Sequence, residues 1–128
     1  LAYTGGWVLA LRVLKKCGLG ASVVCGWRPG CLLERGYTRE EGLESGACSE
    51  SNGRMYDSLA GRLIVPIIDQ MDEVIAFGGR LLEKSDRAKY KNTRETVLFN
   101  KSRTLFNLNQ VKKLRRAGGL NSLIMVEG

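Results

Sequence analysis

The residues of this chain best suited to chemistry lie in one stretch, Ile75 to Arg103. It joins a Gly-Gly pair in an apolar segment to a dense set of cations, with Tyr90, Asn92 and Phe99 placed among them. Glycine lets the backbone approach a ligand closely, cations attract phosphates, and flat side chains stack on bases. The combination is typical of a protein that binds a polyphosphate strand, because an ordinary solvated surface needs only the charges.

The positive charge of the chain is concentrated in one block. Residues 84–116 contain 11 Lys and Arg and two acids, a net charge of +9. The remaining residues contain nine cations and 11 acids, so this block accounts for the whole formal charge of +7. Such a block is typical of nucleic-acid binding or of contact with another acidic surface. A solvated helix and loop face is the alternative that charge alone leaves open.

Composition excludes several other classes of protein. The 128 residues are 44% hydrophobic, which suffices for one modest core. No apolar run approaches the roughly 20 residues of a membrane span and no targeting signal is recognisable, so we expect a cytoplasmic protein without a membrane partner. The chain starts at Leu1 and stops in an apolar run, and we therefore expect a piece of a longer polypeptide.

The cysteines and the lack of histidine limit metal and nucleophile chemistry. Cys17, Cys25, Cys31 and Cys48 form no CxxC pair, and the histidine count is zero. Zinc sites usually contain closely spaced ligand pairs, so we expect no zinc and predict reduced, partly buried thiols. Without histidine, Ser-His and Cys-His catalysis are excluded.

The apolar periodicity predicts an α+β fold, with mixed helices and a mainly antiparallel sheet in a single compact subdomain. Helical spacing predicts one helix from near Trp7, a short one around Val24, and another over 103–117 that ends at Gly118-Gly119. Residues 28–55 are rich in glycine and polar side chains and predict an irregular loop with at most a short strand or helix turn.

The centre of the chain predicts an antiparallel β-hairpin. Two β-type runs, 62–68 and 73–82, are joined by the polar residues 69–72. Pro66 lacks an amide hydrogen and is expected at an edge or a bulge. Gly78-Gly79 is expected to interrupt the second strand and to admit another backbone or a ligand.

Three shorter segments follow the hairpin. The polar residues 83–96 predict a surface loop. The next three residues, Val97-Leu98-Phe99, predict a short apolar anchor. Near the end of the chain, Ser122 to Val126 predicts another buried strand.

Several side chains of the opening stretch suit nucleic-acid contacts. Arg80, directly after two glycines, can present its guanidinium to a phosphate, and Lys89 and Lys101 offer point charges. Tyr90 can stack on a base or fill the core. Asn92 can bond to a phosphate, to a base edge or to its own turn. Taken singly, each residue leaves both interpretations open.

The order of the motifs is more specific than any single motif. Five blocks follow one another: Gly61 to Asp69 (GRLIVPIID), Val74 to Arg80 (VIAFGGR), Lys89 to Asn92 (KYKN), Phe99 to Arg103 (FNKSR) and Val126-Glu127-Gly128. This series resembles the bacterial replicative DNA primase family (DnaG-type), over nearly the whole chain and most strongly over 56–128. The resemblance implies the amino-terminal subdomain of the RNA polymerase core at 1–121 and the first strand of a truncated Toprim domain at 122–128.

The resemblance also implies roles for individual residues. It assigns nucleic-acid binding to Arg62, Arg80, Lys89, Tyr90, Asn92, Lys101 and Arg103. It makes Glu127 the first acid of a catalytic metal site that holds Mg²⁺ or Mn²⁺ in the full-length parent. A carboxylate without its partner acids binds such ions poorly, so we expect this chain alone to bind no metal and to be inactive.

The function implied is that of a DNA-directed RNA polymerase, a nucleotidyltransferase that makes short RNA primers for replication. This part would bind the single-stranded DNA template and the RNA–DNA hybrid through a basic groove. The parent would also bind ribonucleoside triphosphates and, through regions absent here, the replicative helicase. Two alternatives remain open: a non-catalytic single-stranded nucleic-acid-binding module, and a purely structural or protein-interaction domain.

Overall fold

The structure is a computed structural model that describes residues 18–21 and 27–126. Its elements are β1 (Gly20–Ala21), α1 (Trp27–Glu34), α2 (Arg39–Glu44), β2 (Cys48–Ser51), β3 (Arg54–Asp57), β4 (Arg62–Ile68), β5 (Val74–Leu81), β6 (Tyr90–Asn92), a 3₁₀ helix (Lys101–Arg103) and α3 (Leu108–Arg116). The α+β prediction is therefore confirmed. The helices predicted near Trp7 and Val24, and Glu127, lie outside the described residues.

The predicted β-hairpin forms the centre of a four-stranded antiparallel sheet with the order β1-β4-β5-β6, and β2 and β3 form a separate hairpin. The turn between β4 and β5 is closed by Asp69, whose Oδ1 accepts the amides of Met71 at 2.8 Å and Glu73 at 2.9 Å. This carboxylate explains why the chain reverses where the sequence predicts it. Every helix in the described ranges is too short to cross a membrane.

Pro66 has no amide hydrogen to donate, and the pairing of β4 with its neighbours shows how the sheet accommodates it. It pairs with Phe77 on β5, whereas β1 reaches only Leu63 and Ile64 on the other side of β4. The register of the hairpin shifts directly after it, between residues 67 and 68. Pro66 therefore lies in an inner strand of the sheet, one residue before the register shift, at a position that the described pairing with β1 does not reach.

The irregular loop predicted over 28–55 is wrong, because this segment contains two helices and a β-hairpin. A capping box starts α2: Thr38 Oγ1 accepts the Glu41 amide at 3.1 Å, and Glu41 Oε2 accepts the Thr38 amide at 2.7 Å. Two of the glycines of this segment, Gly30 and Gly42, lie within the helices, whereas Gly36, Gly46 and Gly53 stand between the elements and have positive φ. They allow the chain to turn and do not prevent regular structure.

Two further local predictions need correction. The predicted loop over 83–96 contains β6, because its backbone pairs with residues 78–80 of β5. Of the predicted apolar anchor, only Phe99 is buried, against Ile67 and Ala76, while Val97 is fully exposed. Tertiary pairing thus overrides the polar composition of β6, which is exposed along its whole length.

The last helix is shorter than predicted. It starts at Leu108 and not at Arg103, because Asn100 Oδ1 accepts the Ser102 amide and caps a separate 3₁₀ turn. Its end before Gly118, at φ +70°, agrees with the prediction. Residues 122–126 form no strand with the part of the chain that is described, and their side chains are exposed. The predicted buried strand is wrong for this chain, since a strand needs a partner to pair with.

The turn of the hairpin holds α3 in place. Asp72 Oδ1 accepts hydrogen bonds from the buried Asn109 amide and from Lys113 Nζ, both at 2.8 Å. Lys112 Nζ donates to Gln70 Oε1 on the same turn. The hydrogen bond from Lys113 lowers the pKa of Asp72 most, and the one from Asn109 lowers it further. The charged form of this carboxylate therefore favours the folded state.

Removing this charge should produce a pH-dependent loss of stability. A carboxyl group with a lowered pKa in the fold contributes stability that is present above about pH 4 and is lost as the pH falls through the folded pKa. We expect Asp72→Asn to lower the free energy of unfolding at pH 7 and to matter less at pH 3. Asparagine tolerates the positive φ of this position, so the backbone is not strained.

Urea unfolding at both pH values measures this effect. Asp86→Asn is the matched control, because Asp86 is exposed and forms no ion pair within residues 18–21 and 27–126. A loss of stability for Asp72→Asn that is equal at pH 3 and pH 7 would contradict the assignment.

Candidate nucleic-acid interface

The β5–β6 pair places several predicted binding residues on one face of the sheet. Arg80 pairs with Tyr90, and Gly78 pairs with Asn92. Residues directly opposite each other in an antiparallel pair point to the same side, so these side chains share one face. We call Arg80, Tyr90 and Asn92, together with Lys89, whose Nζ lies near the Tyr90 ring, the Tyr90 surface.

Tyr90 is the centre of this surface and is not part of the core. The residue is 65% exposed. The guanidinium carbon of Arg80 lies 5.8 Å from the ring centroid, and Lys89 Nζ lies 5.7 Å from it. Two cations beside an exposed ring give a flat stacking surface with a positive rim. The alternative in which Tyr90 fills the core is therefore wrong.

Gly78 leaves the backbone bare beneath Asn92. A Cβ at this position would lie 3.1 Å from Asn92 Oδ1, tighter than ordinary contact. The Asn92 side chain thus extends across a strand that offers no side chain of its own. Its amide is exposed, which leaves it available to a ligand.

Gly79 does not interrupt β5, contrary to the sequence prediction, because the strand continues to Leu81. What approaches it is a side chain of the same protein. A Cβ on Gly79 would lie 2.9 Å from Arg62 Cδ and 3.2 Å from Leu59 Cδ2. The glycine is needed because a buried arginine crosses the strand at this point.

Arg62 lies inside the fold and not on the Tyr90 surface, where the family resemblance would place it. Only 2% of the residue is exposed. Its guanidinium donates to the carbonyls of Ala88 at 2.7 Å, Lys89 at 3.2 Å and Gly79 at 3.3 Å. Burial lowers the pKa of Arg62, and the nearby charge of Arg87 lowers it further by a smaller amount. Burial leaves this side chain no access to a phosphate, so it acts as a strut between β5 and the loop before β6.

The strut carries an uncompensated polar group. No acceptor within residues 18–21 and 27–126 lies in hydrogen-bonding distance of Arg62 Nε. Burying a charged group without a carboxylate is costly, and three carbonyls offset part of that cost. The three hydrogen bonds join the backbone at Ala88 and Lys89, directly before Tyr90, to that of Gly79 in β5.

Lys101 and Arg103 lie on the separate 3₁₀ turn and are both exposed. Phe99, just before this turn, packs against Ala76. Side chains alternate along β5, so Ala76 faces the same side as Arg80. The packing of Phe99 therefore brings the turn to the side of the sheet that carries the Tyr90 surface.

Other cations of the basic block have structural contacts that the sequence does not reveal. Arg94 Nη2 donates to the Leu43 carbonyl at 2.6 Å and ties the chain to α2. Arg87 Nη2 donates to the Ala60 carbonyl at 3.1 Å. Charge alone cannot separate such anchors from binding residues, because only the fold shows which carbonyls lie within reach.

Metal ligands are not gathered in the described part of the chain. Residues 18–21 and 27–126 contain no cluster of three or more Cys, Asp or Glu side chains that could hold an ion. Cys31 is half-buried and Cys48 is buried. Cys17, Cys25 and Glu127 lie outside the described ranges, so the implied metal site is not described.

An exposed aromatic ring between cations, on an antiparallel sheet, is typical of nucleic-acid-binding domains. Comparison with known proteins specifies that class further. The family model of the DNA primase catalytic core, N-terminal domain, matches residues 23–112. The chain belongs to the bacterial DNA primase family, as the N-terminal domain of the catalytic core.

Individual relatives agree with this assignment. The chain is 42% identical to the DNA primase of Legionella pneumophila, over 100% of this chain and 23% of that protein. The chain is also similar to the RNA polymerase domain of Mycobacterium tuberculosis primase DnaG, solved in complex with a double-stranded DNA oligomer with a 6-nucleotide overhang. The TM-score is 0.78 and the sequence identity is 30%, and the match covers 84% of this chain and 34% of that one.

A third structure, a DnaG primase catalytic domain bound to ssDNA, has a TM-score of 0.67 and 30% identity over 80% of this chain and 32% of that one. The chain thus spans about a quarter of the full Legionella primase and a third of each solved chain.

Proposed function

We propose that this chain binds the DNA template and the RNA–DNA hybrid in a primase that synthesises short RNA primers for replication. The observation that carries the proposal is the Tyr90 surface, an exposed ring with two cations within 6 Å, in a member of the primase family. Solved relatives described as complexes with DNA support it. The parent protein is proposed to be a nucleotidyltransferase that uses ribonucleoside triphosphates and works with the replicative helicase.

The residues of the surface make different contacts with a nucleic-acid strand. The ring of Tyr90 stacks on a base, while Arg80 and Lys89 neutralise the phosphates on either side. Asn92, above the bare backbone of Gly78, donates to a phosphate or a base edge. Lys101 and Arg103, on the same side of the sheet, extend the basic surface. Arg62 is left out of the contacts, since it is buried.

The chemistry of primer synthesis is proposed to lie outside the described residues. Glu127 is proposed as the first acid of a site that holds Mg²⁺ or Mn²⁺ in the full-length protein. Divalent ions at such a site stabilise the attacking oxygen and the leaving pyrophosphate of nucleotidyl transfer. The residues of this chain supply strand binding and orientation, so we expect it to bind DNA without incorporating nucleotides.

The salt dependence of DNA binding tests the proposal. Each phosphate contact contributes about 0.7 to the slope of log K against log salt for a single strand. Lys89→Ala and Lys101→Ala should each weaken binding of single-stranded DNA at low salt and reduce the slope by about that amount. Titration at several salt concentrations, with fluorescently labelled oligonucleotides, measures both quantities.

Arg54→Ala is the control, because it removes one exposed charge from the separate β2–β3 hairpin. Unchanged affinity in both lysine variants would mean that these cations only face solvent. Template-directed incorporation of ribonucleotides by the full-length protein distinguishes a primase from a non-catalytic single-strand-binding module. Binding without incorporation would favour the module.

A further inference from the structure

The helix α3 carries a second concentration of positive charge. Between residues 96 and 126 the chain contains six Lys and Arg and no acid. Four of these six stand in the second half of the helix, Lys112, Lys113, Arg115 and Arg116, and the last three of them lie in its final turn. Cations there complement the helix dipole, which accounts for one or two of them. The others need a different explanation.

The contacts of α3 separate these cations into two groups. Lys113 Nζ forms an ion pair with Asp72 at 2.8 Å. Lys112 Nζ donates to Gln70 Oε1, an uncharged acceptor. Arg115 and Arg116 are exposed, and neither forms an ion pair with residues 18–21 or 27–126. Lys112 and Arg115 therefore have no carboxylate partner within the described residues, and Arg116 interacts with the charge of Asp72 only at longer range.

These three side chains converge on one concave surface. Lys112, Arg115 and Arg116 line a cavity of about 360 Å³. Residues three and four apart on a helix lie on one side, and like charges at this spacing repel each other. An anion in contact with all three relieves the repulsion. Guanidinium groups bind phosphate through paired hydrogen bonds, which makes a phosphate the anion that fits best.

The hairpin sets the distance between this cavity and the Tyr90 surface. The helix contacts the turn before Val74, whereas Tyr90 pairs with Arg80 near the other end of β5. A strand rises about 3.3 Å per residue, so the two basic surfaces are separated by roughly 20 Å along the strand. A helical strand of nucleic acid has one phosphate about every 3.4 Å of axis, so about six nucleotides span this distance.

We propose that Lys112, Arg115 and Arg116 form a second phosphate-binding site, for the backbone of a nucleic-acid strand whose other part lies on the Tyr90 surface. The inference rests on the proposed function and extends it, because it assigns a separate contact to α3. A strand shorter than the spacing occupies one surface only. A longer strand occupies both and is bound more tightly.

Binding of single-stranded DNA of two lengths tests the inference. The Arg115→Ala/Arg116→Ala variant should bind a 16-nucleotide strand about tenfold more weakly at low salt, with a salt slope lower by about 1.4. Its affinity for a 4-nucleotide strand should be unchanged. Arg35→Ala/Arg54→Ala is the matched control, since it removes two exposed charges elsewhere and should alter neither affinity.

Thermal unfolding verifies that the variants fold, and Arg115→Gln/Arg116→Gln replaces the alanine pair if that pair is unstable. Unchanged binding of the 16-mer, an equal loss for both lengths, or an equal loss in the control would overturn the inference. Lys89→Ala in the same titration separates the two claims. If Lys89→Ala weakens binding while the arginine pair does not, only the second site fails. If neither does, the proposed function fails as well.

Discussion

Replacing Arg62 by methionine is expected to lower the free energy of unfolding by about 3–5 kcal/mol and to weaken binding of single-stranded DNA. The change leaves the buried carbonyl of Gly79 and the partly buried carbonyls of Ala88 and Lys89 without their donor. The backbone before Tyr90 then loses its attachment to β5. The Arg62→Lys variant should be less stable than the wild type and more stable than Arg62→Met, because one ammonium group cannot reach three carbonyls as the planar guanidinium does.

The free energies of unfolding of two glycine variants, measured in urea, provide a comparison for Arg62→Met. Gly79→Ala forces a Cβ to within 2.9 Å of Arg62 Cδ and should cost about 1–3 kcal/mol. Gly30→Ala, in α1, meets no atom within 4 Å and should stabilise the fold by up to about 1 kcal/mol. An Arg62→Met protein as stable as the wild type would contradict the role of the guanidinium as a strut.

A double-variant comparison tests whether Arg62 acts through the Tyr90 surface. If it only positions that surface, Arg62→Met should weaken DNA binding less in a Lys89→Ala/Tyr90→Ala background than in the wild type. Fully additive losses would instead indicate a direct contact with DNA, which the burial of Arg62 argues against.

Tyr90→Ala is expected to reduce the affinity for single-stranded DNA by about 1–3 kcal/mol with little effect on the fold. The ring is exposed, so its removal costs few packing contacts, while the stacking surface is lost. Tyr90→Phe retains the ring and should bind nearly as well as the wild type. Equilibrium titration and thermal unfolding of both variants measure the two effects separately.

A salt slope unchanged in Tyr90→Ala would further support the assignment, since an uncharged ring neutralises no phosphate. If instead Tyr90→Ala bound DNA like the wild type while Lys89→Ala did not, the surface would act through charge alone. That outcome would contradict the stacking role.

Local patterns in the sequence predicted the parts of the fold that depend on neighbouring residues. The β4–β5 hairpin follows from two apolar runs separated by a turn that Asp69 closes through its own neighbours. The end of α3 follows from Gly118. In residues 28–55 the glycines predict a loop, whereas the capping box of Thr38 and Glu41 is the local signal that marks the start of α2.

The binding surface was predictable in composition but not in arrangement. Arg80, Tyr90 and Asn92 come together only through the register of β5 and β6, and the polar residues 90–92 give no strand signal of their own. Both residues are arginines, yet Arg62 is a buried strut and Arg80 is an exposed charge. Only tertiary packing decides between these roles, because both residues follow glycine in a similar local sequence.

The position of β6 has a consequence for how copies of this protein behave toward one another. It is the last strand of the four-stranded sheet as described, so its outer backbone groups lie at an open edge that could template pairing with another chain. The strand is only three residues long and is flanked or occupied by Lys89 and Lys91. Identical charged edges repel, so the cations that attract a polyanion also protect the free protein from edge-to-edge aggregation.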